Sequence, residues 1–93
     1  LTNFDPKHQR AEVGIVIVSA MRGHHYALAA MAWLHDYALT TLHLHQVYAI
    51  ISVDNTPALQ LFYELEYQET ACLKEWIFDG RDYHDARLLQ RVL

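Results

Sequence analysis

The chain is poor in the features that announce a secreted, membrane-spanning or nucleic-acid-binding protein. It has a single cysteine, Cys72, so no intrachain disulfide can form and nothing points to secretion. Cys72 stands in an apolar context and is expected to be a buried structural thiol. Seven Lys and Arg against eleven Asp and Glu leave a net charge of −4, whereas a general nucleic-acid binder carries a basic surplus. No run reaches the ~18 uninterrupted apolar residues of a membrane span, and there is no basic-then-apolar leader. None of the three glycines belongs to a Gly-rich loop closed by Lys-Ser/Thr, which counts against a nucleotide-binding α/β module. Linkers, repeats and low-complexity tracts are also missing. These gaps predict one soluble, cytoplasmic domain over residues 1–93, with no nucleic-acid or membrane partner.

What is present is globular. The composition is 53% hydrophobic and 12% aromatic over 93 residues, and a chain of that size can bury about 60–65% of its unfolded surface. Leu1 to Phe4 reads as the tail of a strand, and Asn3 to His8 is a turn cluster. Arg10 to Val18 is β-branched-rich and too short for a helix. Tyr26 to Leu39 is helical but apolar nearly all round, with only His35 and Asp36 strongly polar. Such a helix is buried or shared with a partner. Val47 to Val53 is a second strand. Asn55 or Thr56 caps a second helix, Pro57 fits its first turn, and Ala58, Leu61, Phe62 and Leu65 form its buried stripe. Glu69 to Phe78 and Arg81 to Leu93 are strands around an Asp79-Gly80 two-residue turn signal. The order β-α-β-α-β-β predicts an α/β fold of α+β character, with a mixed sheet, a mainly parallel portion and an antiparallel edge hairpin.

The most informative stretch is Arg22-Gly23-His24-His25-Tyr26-Ala27. It joins an apolar strand to a helix. The first N–H groups of a helix lack intrahelical partners and carry the positive end of its dipole, so phosphate is the natural guest. The plainer alternative is an ordinary strand-to-helix connection with a solvated Arg22.

Four segments together resemble the C-terminal half of the GNAT acyl-CoA N-acyltransferase family, in its spermidine- and ribosomal-protein-acetylating branches. Arg10 to Ile17 resembles the central strand. Arg22 to Ala27 resembles the Gln/Arg-x-x-Gly-x-Gly/Ala pyrophosphate loop. Val53 to Phe62 resembles the Asn-x-x-Ala segment opening the next helix, and Leu65-Glu66-Tyr67 with Trp76 to Tyr83 resembles the closing Leu-Gly-Phe and terminal hairpin. The resemblance implies transfer of an acetyl group from acetyl-CoA to a primary amine by direct attack, with acetyl-CoA as cosubstrate and no metal. It implies that the main chain of Val16, Ile17 and Val18 holds the pantetheine arm. Arg22, Gly23, His24, His25, Tyr26 and Ala27 would wrap the pyrophosphate. Asn55, Ala58 and Phe62 would meet the cofactor from the next helix. The catalytic candidates are Glu12 and Asn55. Glu12 would take the amine proton through water or attract a cation, and the competing reading is a surface strand carboxylate.

Three departures stand against the family pattern. A loop glycine is His25, which either weakens cofactor binding or offers an imidazolium to phosphate. The position of the family's Tyr acid is Phe62, which has no proton to give, and Tyr63 is turned about 100° away along the helix. The glycine of Leu-Gly-Phe is Glu66, so either the helix ends differently or stability is lost. These departures keep a second reading open, a catalytically impaired CoA-binding or dimerisation remnant. Seven histidines offer no third ligand at metal-site spacing. Asp54 reads as a turn or cap residue, and Trp33 and Trp76 as core or interface residues. A homodimer is expected, with the terminal hairpin available for strand exchange.

Overall fold

Period-two burial runs along the strand Gln46–Ser52, where Val47, Ala49 and Ile51 are buried and the residues between them half-buried. This alternation turns one face of a sheet to the core. The computed structural model describes residues 1–13 and 24–93. Their elements are β1 (Thr2–Asp5), β2 (Arg10–Glu12), α1 (His24–Thr40), β3 (Gln46–Ser52), α2 (Thr56–Glu64), β4 (Gln68–Phe78) and β5 (Tyr83–Val92).

The sheet order is β1-β2-β3-β5-β4. Among the described residues only β2–β3 is parallel. β5 runs antiparallel between β3 and β4, from Gln46↔Val92 to Ser52↔Ala86 on one side and from Gln68↔Gln90 to Phe78↔Tyr83 on the other. The expected edge hairpin is therefore half interior: β5 fills the open side of β3 and β4 becomes the edge. This corrects the expectation for Cys72, which is exposed on that edge strand. The strand expected at Arg81 begins at Tyr83. The connection is four residues rather than two, because Asp79 Oδ1 accepts the main-chain N–H groups of Arg81 (2.8 Å) and Asp82 (2.7 Å).

Met31 and Ala38 of α1 and Ala58, Leu59 and Phe62 of α2 join Val47, Ala49, Ile51 and Leu89 in one cluster. Burial in α1 repeats at Met31, His35 and Ala38, the spacing of one helix face. Its other faces are not enclosed: Trp33 is 65% exposed and stacks on Tyr37. Trp76, at 58%, is likewise not a core residue.

Helix α2 ends in a Schellman turn. Tyr67 N–H donates to Phe62 O and Glu66 N–H to Tyr63 O, while the Tyr67 ring packs edge-on against Phe62 at 4.7 Å. Glu66 occupies the position that glycine usually takes, with φ +67°. The helix thus keeps the glycine-type ending without the glycine. An L-residue in the left-handed region costs about 1–2 kcal/mol.

Candidate active site

Parallel pairing sets β2 and β3 with their carboxyl ends together, through Ala11↔Val47 and Glu12↔Tyr48 and a Val13 N–H to Tyr48 O bond of 2.8 Å. Along the chain α1 follows β2 and α2 follows β3. In an α/β sheet ligands bind beyond the carboxyl ends of the strands. Helix α1 begins at His24, so the main chain of His24, His25, Tyr26 and Ala27 forms its first turn, whose N–H groups have no intrahelical acceptor. Val16, Ile17, Val18, Arg22 and Gly23 lie outside the described residues, as does the expected strand beyond Val13.

Asn55 is the N-cap of α2. Its Oδ1 accepts Ala58 N–H at 3.3 Å, and its own N–H donates to Ser52 O at 3.0 Å. Pro57 follows in the first turn. The carbonyl oxygen of the side chain is thus committed to the helix, and Nδ2 is the group that remains to donate outward. Ala58 and Phe62 stand behind the cap, and the Phe62 ring is fully enclosed. Tyr63 turns away from it, taking a 3.1 Å hydrogen bond from Arg87.

Glu12 shares a register position with Tyr48, while its neighbours Ala11 and Val13 are core residues. Its side chain therefore lies on the sheet face opposite the helices, where Oε1 accepts from Asn3 Nδ2 at 2.6 Å. Glu12 and the α2 residues are placed on different faces. On the Glu12 face an open cleft of about 260 Å³ is lined by Arg10, Tyr48, Ile50, Leu73 and Leu88 among others. A larger cavity, about 330 Å³, includes Gln46, Glu66, Gln90 and Arg91. It sits at the opposite end of β3 from Asn55, and none of the described candidate residues lines it.

Sequence reading missed His84. Its Nδ1 lies 2.7 Å from Asp54 Oδ2 and its Nε2 lies 2.6 Å from Asp79 Oδ2. Asp54 and the Asp79 turn were each legible locally. Their meeting at one imidazole depends on β5 pairing with β3, which brings Val53 N–H to Asp85 O at 3.0 Å. Among the described residues no three His, Cys, Asp or Glu side chains are arranged to hold a metal ion, and no helix is long and apolar enough to cross a membrane.

The family described as "Acetyltransferase (GNAT) domain" matches residues 1–68. The chain belongs to the GNAT acetyltransferase family. Spermidine N(1)-acetyltransferase of Vibrio cholerae is 31% identical over 86% of this chain and 46% of the relative. The crystal structure of spermidine N-acetyltransferase from Vibrio cholerae in complex with CoA and spermine superposes with TM-score 0.86 at 28% identity. It covers 96% of this chain and 53% of that one. A dodecameric structure of the Vibrio cholerae enzyme in an intermediate state gives TM-score 0.81 at 25% identity, covering 96% and 52%. The fold is a partial acyl-CoA N-acyltransferase fold, and the chain spans about half the length of the relatives it matches.

Proposed function

We propose that this chain carries the acetyl-CoA-binding portion of an N-acetyltransferase acting on a primary amine, and that residues 1–93 form the C-terminal portion of such a domain. The observation that carries the reading is the family match over residues 1–68, supported by a parallel β2–β3 pair in which α1 follows β2 and α2 follows β3 along the chain. The pyrophosphate lies on the first turn of α1, with Arg22, Gly23, His24, His25, Tyr26 and Ala27 around it. The pantetheine follows the main chain of Val16, Ile17 and Val18. Asn55 donates its Nδ2 to the cofactor, and Ala58 and Phe62 shape the packed wall behind it.

In the reaction the amine nitrogen attacks the thioester carbonyl carbon. The N–C bond forms, the C–S bond breaks, the amine loses a proton and the thiolate gains one. Glu12 takes the amine proton through water. With Phe at position 62, the thiolate's proton comes from water rather than from a tyrosine there. A net charge of −4 suits a cationic acceptor, and the similar enzymes named for spermidine favour a polyamine. The protein works in the cytoplasm as a homodimer. The exposed Trp33–Tyr37 pair is one surface available to an assembly.

Calorimetric titration with acetyl-CoA tests the reading, with desulfo-CoA and free phosphate as controls. Micromolar binding that Arg22→Ala weakens is expected. No binding at millimolar cofactor overturns it and leaves an impaired remnant of the fold.

A further inference from the structure

Both ring nitrogens of His84 face carboxylate oxygens, Asp54 Oδ2 at 2.7 Å and Asp79 Oδ2 at 2.6 Å. A carboxylate only accepts, so both nitrogens must carry protons, and a neutral imidazole has only one. The arrangement therefore requires the imidazolium. Asp54 immediately precedes Asn55, the cap of α2, and its own N–H donates to Ser52 Oγ at 3.3 Å. His84 thus ties the terminal hairpin to the connection that presents Asn55.

We propose that His84 is a positioning residue for Asn55. In its imidazolium form it holds the β3–α2 connection, and on deprotonation it releases that connection, so that cofactor affinity falls as pH rises. The effect on affinity rests on the acetyl-CoA reading above; the latch itself does not.

Which contact is released follows from the surroundings. Asp79 is anchored, since its other oxygen already accepts two main-chain N–H groups from Arg81 and Asp82. Asp54 is the more exposed of the two carboxylates. A neutral His84 keeps one N–H and spends it on Asp79, leaving its bare nitrogen facing Asp54, which then turns to solvent. The neighbouring carboxylate, Asp85, is committed elsewhere. Asp85 takes Lys74 Nζ at 3.3 Å and the Glu75 N–H at 2.9 Å, and the Arg81 and Asp82 main chains cap Asp79. Donation to the Asp79 carboxylate, followed by its charge and the contact with Asp54, raises the His84 pKa above its ordinary 6.5 against the opposing effect of burial.

The experiment has two arms. In the first, NMR follows the His84 ring and the Asn55 side-chain amide from pH 5.5 to about 9. The two are expected to move with one midpoint above that of a free histidine. Asp54→Ala should leave His84 titrating against Asp79 alone and silence the Asn55 response. A His84 midpoint at the free value, or an Asn55 amide that does not move with it, overturns the latch. In the second arm, acetyl-CoA affinity is compared across the same range in wild type and Asp54→Asn. An amide accepts from the imidazolium and donates to the neutral ring, so this variant keeps the contact at every pH. Wild type should lose about two- to fivefold in affinity more than Asp54→Asn, the size expected of a half-exposed ion pair. Parallel pH profiles overturn the coupling to the cofactor. Failure of both proteins to bind acetyl-CoA overturns the functional reading, and the first arm still decides the latch.

Discussion

The Arg91 guanidinium lies 2.7 Å from His35 Nδ1, and this contact sets the charge of a buried ring. Arginine has donors only, so Nδ1 must accept. The ring proton then sits on Nε2, 2.7 Å from the Tyr67 hydroxyl. His35 is neutral by geometry, as His84 is charged by geometry. One ring faces a donor and the other faces two acceptors.

Stability is expected to fall on acidification through His35. Burial, with the Arg91 charge beside it, holds the imidazole down at about 4, against 6.5 in the unfolded chain. Between those values the unfolded state binds the extra proton, so stability is full above pH 6.5 and declines until about 4. The loss should approach about 3 kcal/mol. Urea midpoints measured from pH 7 downward check this, and His35→Gln should flatten the profile over that window.

Tyr67→Phe removes the hydroxyl that meets His35 Nε2 and leaves a buried N–H without its partner. A loss of about 1–3 kcal/mol is expected. Packing of the ring on Phe62 is kept, so the far-UV circular dichroism spectrum should not change while the urea midpoint drops.

Glu66→Gly should stabilise the protein. Position 66 holds φ +67°, which glycine adopts freely. A gain of about 1 kcal/mol corresponds to about 4–8 °C in Tm for a domain of this size. A thermal melt showing no rise would mean that the Schellman turn is not strained.

Two substitutions at Asn55 separate capping from cofactor contact. Asn55→Ala loses the cap and should cost about 1 kcal/mol. Asn55→Asp keeps an acceptor for Ala58 N–H, so its stability should stay near wild type. Both lose the Nδ2 donor, and weaker acetyl-CoA binding is expected in both. Calorimetry paired with urea denaturation distinguishes the two effects.

Much of the fold was legible because its signals are local. The alternation over Val47 to Val53 and the Asn55-Thr56-Pro57 start of α2 depend on residues a few positions apart. Glu66 was legible as a departure, but its outcome was not: whether the helix ended elsewhere depended on Tyr67 packing against Phe62. Asp79-Gly80 correctly marked a turn. The length of that turn was set by the Asp79 carboxylate, which accepts two N–H groups and so delays the strand to Tyr83.

By itself the sequence determined the element order, the start of α2 and the family, because each is written in neighbouring residues or in a pattern of spacing. Tertiary structure decided where β5 inserts, and with it nearly everything about the titrating groups. A histidine's charge depends on what faces each ring nitrogen, and those partners come from distant parts of the chain. Arg91 reaches His35 across the sheet–helix interface, and Asp54 reaches His84 only because β5 lies beside β3. Exposure was decided in the same way. Cys72, Trp33 and Trp76 have apolar side chains, but whether such a group is covered depends on which elements pack over it, and Cys72 and Trp76 stand on the edge strand β4.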